Sequence, residues 1–250
     1  MTPLAALLAL LIGVTLGLLG GGGSILTVPV FVYVLGIESK RAIAMSLPVV
    51  GLAALVGVAR HARLGNVNLR IALSFGAAAM LGAYGGARLA RFLLGPVQLA
   101  LFALVMLAAA ISMLWNARLP EEPGAERTPS WLALVPIGIG VGMVTGIVGA
   151  GGGFLIVPAL VLLGRVPMRQ AIGTSLLVIA LNTAAGFLGY RNAVDVDWTL
   201  VTSFALVAGV GIVAGTALVR RVPTQQLKRG FAVLLIVIGT SILWQILSLL

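Results

Sequence analysis

The sequence predicts an all-α polytopic membrane bundle made of two homologous repeats, each opening on a helix broken by glycine. Three observations carry that prediction. The composition is too apolar for a soluble domain. The apolar residues fall into eight segments of membrane-spanning scale. A constant shift along the chain lays one half on the other.

Of the 250 residues, 60% are hydrophobic and 9% are charged, and the mean hydropathy is +1.17. A soluble domain carries about 25% charged residues. So few charges cannot cover a water-facing surface, and the chain reads as one integral membrane domain, residues 1–250. The formal charge is +10, from 16 Lys and Arg against 6 acids. These bases lie in short loops between apolar runs, where they set topology. No basic tail or aromatic-interleaved basic patch points to nucleic acid. Cysteine is absent and histidine occurs once. That excludes disulfides and thiolate chemistry and argues against a transition-metal site, so no metal and no cofactor are expected. The first 19 residues lack a basic leader, and apolar sequence resumes after the glycines, so they read as structural and not as a cleaved signal.

The eight apolar segments are Pro3–Gly36, Ala42–Ala59, Leu69–Ala87, Pro96–Ala117, Trp131–Leu163, Ala171–Tyr190, Trp198–Val219 and Thr224–Leu250. Most have the roughly 20 residues that a spanning helix needs. The polar stretch Asn116–Ser130 holds three of the six acids and three prolines. It divides repeat 1 (about 1–118) from repeat 2 (131–250), with the linker proper at 119–130.

Pro29 and Pro158 differ by 129 positions, and that shift superposes much more. Gly20 falls on Gly149, Val28 on Val157, Ala42–Leu47 ("AIAMSL") on Ala171–Leu176 ("AIGTSL"), Gly82 on Gly211 and Arg91 on Arg220. An internal repeat in a polytopic chain is a transporter signature, with the site expected where the repeats meet.

Segments one and five are too long. Pro3–Gly36 would run about 50 Å as one helix at 1.5 Å per residue, against a hydrocarbon core of about 30 Å. Either each is a strongly tilted, broken crossing, or each enters and leaves on one side as a re-entrant hairpin. Eight full crossings divide the bases 10 to 6; re-entrant first segments divide them 11 to 5. The positive-inside rule does not separate these, and both put the two termini outside the cytoplasm. The length argument favours re-entrant segments and inverted halves.

The breaks are the stretches "GLLGGGGSILTVPVF" (Gly17–Phe31) and "GIVGAGGGFLIVPAL" (Gly146–Leu160). Each mid-helix glycine costs about 1 kcal/mol against Ala. Backbone freed by a break in a membrane helix survives only inside protein or along a watery cavity. A helix restarting at Ser24 or Gly153 would aim free N–H groups and its positive dipole end at that cavity. The candidate substrate-binding residues are therefore Gly20, Gly21, Gly22, Gly23 and Ser24, with Gly149, Ala150, Gly151, Gly152 and Gly153. Two converging helix N-termini suit an anion near the midplane; the bland alternative is close packing through small residues. Ser24 is placed to cap the restart or to meet a ligand. Ser46, Thr174 and Ser175 occupy equivalent places on segments two and six. They either line the cavity or bond their own helix. Asn182 needs a partner, across a cavity or across helices. Arg60, His61 and Arg63 end segment two. They read as a solvated helix end or as an anion and proton entry formed by Arg60 and His61. Trp115, Trp131, Trp198, Trp244 and Tyr190 fall near segment ends, as an aromatic belt would.

These doubled glycine motifs, each followed by A-I-x-x-S-L, resemble the TauE/SafE family of sulfite exporter-like permeases over nearly the whole chain. The resemblance implies a multi-pass carrier of the bacterial plasma membrane for sulfite, sulfonates or similar small anions. A related group of thiosulfate permeases relays its substrate along cysteines, and this chain has none to do so. The expected function is thus secondary transport of a small anion, in the export direction, by alternating access, with proton coupling as an option. An uptake permease of the same family is the alternative. A membrane-embedded enzyme or accessory subunit is the alternative from another class, disfavoured because no Asp or Glu lies deep in a span.

Overall fold

The computed structural model describes residues 3–116, 131–148, 153–164, 166–190, 194–219 and 221–248. Among them all regular structure is helical, in ten helices. The first apolar segment divides into α1 (Pro3–Leu19) and α2 (Gly22–Pro29), and the fifth into α6 (Trp131–Val148) and α7 (Gly153–Pro158). The others are α3 (Ser39–Arg63), α4 (Leu69–Ala90), α5 (Gly95–Asn116), α8 (Met168–Tyr190), α9 (Trp198–Val219) and α10 (Thr224–Ser248). Five of them, α3, α5, α8, α9 and α10, are long and apolar enough to cross a membrane. Of similar length, α4 carries Arg70, Arg88 and several glycines, which lower its hydropathy.

The first break follows from glycine's conformational freedom. Gly20 has φ +74°, left-handed backbone that ends a helix. The Gly20 N–H still donates to the Leu16 carbonyl at 2.8 Å, but the Gly21 N–H turns to Leu19, also at 2.8 Å. The Gly17 carbonyl thereby loses its usual donor four residues on. The helix restarts at Gly22, two residues before the expected Ser24. Proline closes each restarted helix. Pro29 and Pro158 have no N–H to give, and the turns that follow, Val30–Val34 and Ala159–Leu163, widen to π geometry. The Leu35 N–H then reaches Val30 and the Gly164 N–H reaches Ala159, both at 3.0 Å.

Close-packed glycines fix how the helices run. A Cβ on Gly13 or Gly17 of α1 would collide with the backbone of Ala208 or Ile212 on α9. One on Gly142 or Gly146 of α6 would collide with Ala79 or Ala83 on α4. The 129-position shift carries one set of contacts onto the other with the halves exchanged. Numbers rise together in both pairs, so α1 runs parallel to α9 and α6 to α4. Likewise Gly76 of α4 lies by Val178 of α8, and Gly189 of α8 lies by Ala87, so α4 and α8 are parallel. By contrast α3 and α8 are antiparallel: Gly57 meets Leu176, Gly51 meets Thr183, and Gly186 meets Leu47.

The consequence is a reversal between α6 and α8. Both are parallel to α4, so both run the same way, and the chain between them must return to the end from which α6 set out. The 11 helical residues Gly153–Leu163 cover about 16 Å of that return at 1.5 Å per residue. In the other half, α9 follows α8 through the short connection 191–197, so it runs antiparallel to α8 and parallel to α3. Hence α1 and α3 also share a direction, and α2 carries the chain back between them.

The antiparallel α3–α8 core has a direct chemical test. In the cysteine-free chain, a short bifunctional thiol reagent should join Leu47→Cys to Gly186→Cys, and Gly57→Cys to Leu176→Cys. The exchanged pairs, Leu47→Cys with Leu176→Cys and Gly57→Cys with Gly186→Cys, should stay unjoined. Efficient joining of the exchanged pairs would mean parallel packing.

Candidate functional site

The two restarted helices touch. A Cβ on Gly21 would land on the Gly153 carbonyl, and one on Gly153 would lie 2.7 Å from the Gly21 Cα and 3.1 Å from the Ser24 Oγ. Only residues without side chains allow this approach. Gly153 also lies against Ile179, halfway along α8, so the contact is deep in the bundle. A Cβ on Gly20 would come 2.7 Å from the Ser175 Oγ. Gly20, Gly21, Ser24, Gly153 and Ser175 are thus brought together, with Gly22 and Gly23 opening α2 beside them. Gly149, Ala150, Gly151 and Gly152 lie outside the described residues.

Ser24 does not cap its helix. Its Oγ donates to the Gly21 carbonyl at 2.7 Å, because the helix begins at Gly22 and Ser24 already sits inside its first turn. Ser46 and Ser175 use their hydroxyls the same way, on Ile43 at 2.7 Å and Ile172 at 2.8 Å. Thr174 is employed elsewhere: its Oγ1 accepts the Asn68 N–H at 2.9 Å, tethering the start of α4. Asn182 bridges helices, its Nδ2 donating to Thr145 Oγ1 of α6 at 2.8 Å, while its buried Oδ1 has no partner.

His61 is fully buried, not a solvated helix end. Its Nε2 lies 3.0 Å from the Gly17 carbonyl, the group orphaned by the break. Its Nδ1 faces the Asn66 amide nitrogen at 3.4 Å. An imidazole protonated only on Nε2 donates to the first and accepts from the second. Adding 129 to His61 gives Tyr190, and adding 129 to Gly17 gives Gly146. The Tyr190 hydroxyl lies 3.3 Å from the Gly146 carbonyl and 3.1 Å from that of Ile147, at the end of α6. Gln98 donates to that hydroxyl at 3.1 Å. Tyr190 is 1% exposed, so it is no part of an aromatic belt. Trp115 and Trp244 are each 75% exposed. The two clamps are thus related by the shift that relates the halves, though one is His and the other Tyr. That shift was the available signal for Tyr190.

Beside the first break is a cleft of about 480 Å³ lined by Arg60, Arg63, Leu64, Thr216, Ala217 and Arg221. Its arginines come from the last turn of α3 and from just beyond α9. Thr216 connects it to the break, since a Cβ on Gly17 would lie 3.0 Å from the Thr216 N.

A membrane bundle with broken helices meeting in its interior, and a basic cleft beside one of them, has the build of a transporter. Residues 5–242 match the family described as sulfite exporter TauE/SafE, and the chain belongs to that family. It is 35% identical to a probable membrane transporter protein of Xylella fastidiosa (strain 9a5c), covering 94% of this chain and 92% of that one. It is 26% identical to the probable membrane transporter protein YdhB of Bacillus subtilis (strain 168), over 90% and 93%. To a probable membrane transporter protein of Haemophilus influenzae it is 28% identical, over 94% and 97%. No solved structure matches it. The chain is a membrane transporter and not an enzyme.

The clamps predict a stability effect. Leaving a buried carbonyl unpaired costs about 1–3 kcal/mol, and each kcal/mol lowers Tm by about 2–4 °C in a chain of this size. His61→Phe should melt several degrees below the parent in detergent, whereas Ser74→Ala, whose hydroxyl bonds only carbonyls of its own helix, should not. An unchanged Tm for His61→Phe would remove the clamp.

Proposed function

We propose that this transporter is a secondary carrier for small sulfur-containing or organic anions, such as sulfite or a sulfonate. It works in the export direction, and the substrate passes where α2 and α7 begin. The observation that carries this reading is the contact between Gly21 and Gly153. Two helix starts, each with N–H groups that have no partner within the helix, meet inside the protein and away from lipid. Such ends favour an anion. The backbone-to-backbone contact closes the passage, so substrate moves only when the two tips part, as alternating access requires.

The same reading takes α1–α2 and α6–α7 as re-entrant hairpins entering from opposite faces, which makes the halves inverted. The reversal between α6 and α8 supports it. The charge count then assigns the face bearing Arg60, Arg63 and Arg221 to the cytoplasm of a plasma-membrane protein, with both termini outside. Export is supported by that basic face and by the family's description. Proton coupling through His61 would require breaking one of its contacts, since Nε2 faces the Gly17 carbonyl and Nδ1 the Asn66 amide.

Purified protein in liposomes tests the proposal: flux of sulfite, sulfate, thiosulfate and an alkanesulfonate, with and without a pH gradient. Sulfite or the sulfonate should cross at a saturable rate. Gly21→Ala, whose methyl falls on the Gly153 carbonyl, should lose about tenfold or more of that flux. Gly140→Ala, in open space on α6, should keep it. Wild-type flux for none of these anions would refute the reading, and full flux in Gly21→Ala would take the passage away from the tips.

A further inference from the structure

Three guanidinium groups line one cleft, yet Glu38, Asp195 and Asp197, the acids among the described residues, sit at the far ends of α3 and α9. There the Arg41 Nε donates to the Asp195 carbonyl at 3.0 Å, marking where those two helices begin. The arginine charge at the opposite end is therefore uncompensated by any described carboxylate. The 129-position shift sharpens the point. It carries Arg60, Arg63 and Arg221 onto Gly189, Asn192 and Phe92, so these three arginines are not repeated at the matching positions of the other half, where Arg88 instead falls on Ala217. The cleft does not merely lie along a lipid-facing flank. Thr216, which lines it, is 1% exposed and packs on Gly17, three residues before the break.

We propose that Arg60, Arg63 and Arg221 form an anion-binding vestibule that holds a small oxyanion at one face before it reaches the glycine tips. The proposal rests on the anion-carrier reading and adds a second site to it. Guanidinium groups match oxyanions through paired N–H···O contacts. The cleft volume lies in the range of small-ligand pockets. Substrate is gathered at this face before it reaches the tips.

The test is sulfite flux against concentration and salt, in liposomes of phosphatidylcholine alone. Arg63→Gln/Arg221→Gln should raise KM about tenfold, the loss expected for charge-assisted hydrogen bonds, with Vmax nearly unchanged. Arg63→Lys/Arg221→Lys should recover part of it. The wild-type KM should rise with salt more steeply than the variant's. Should the double variant fail to reconstitute, Arg221→Gln alone, at an exposed position, carries the same comparison. Saturable wild-type flux with an unchanged variant KM overturns the vestibule and leaves the carrier reading standing. A KM difference that appears only when phosphatidylglycerol is added makes this a headgroup site and overturns it too. Absence of any wild-type anion flux is the failure of the carrier reading itself.

Discussion

A broken helix inside a membrane protein has carbonyls that lipid cannot satisfy, and at the first break a buried side chain answers one: His61 serves Gly17. At the matching place in the other half, the Tyr190 hydroxyl sits by the last carbonyls of α6, 3.1 Å from Ile147 and 3.3 Å from Gly146. Each contact sits near the end of a long helix, His61 on α3 and Tyr190 on α8. For the last turn of α3 to meet the last turn of α1, the two helices must run the same way. The chain between them must therefore come back, and α2 with its π turn is that return. The glycine contacts impose the same reversal independently in the second half. Placement of the tips, the crossed packing of α1 on α9 and α6 on α4, and the deep contact of Gly21 with Gly153 all follow from this arrangement.

Much of it is legible in the sequence because glycine in an apolar run has so few physical excuses. The runs at Gly20 and Gly149, the excess length of segments one and five, and the common shift of 129 point to broken helices without any coordinates. The hydroxyls were less legible. Ser46 and Ser175 bond carbonyls three residues back, a use that a sequence pattern cannot distinguish from cavity lining. Thr174 and Asn182 depend on which helices are neighbours, and neighbours are set by packing between halves. Tyr190 misled for a physical reason: its position near a segment end suits a belt, but Gln98 of α5 and the end of α6 pack over it. The arginine cleft was half legible, since Arg60 stands out while its partner Arg221 arrives from α9.

The shift relates backbones more faithfully than side chains. Glycine contacts repeat across the two halves, whereas His61 faces Tyr190 in role and the three arginines face Gly189, Asn192 and Phe92. A shared scaffold with different side chains at its two ends suits a carrier whose two faces meet different conditions.

The central claim is that the hairpins enter from opposite faces, and sidedness tests it most directly. Cysteine is absent, so single cysteines report cleanly. Leu64 follows α3 and Phe92 follows α4, and both are exposed, at 37% and 86%. In intact cells, an impermeant thiol reagent should label Phe92→Cys and leave Leu64→Cys unlabelled until the membrane is opened. Labelling of Leu64→Cys with protection of Phe92→Cys would contradict the account and restore eight full crossings with parallel halves.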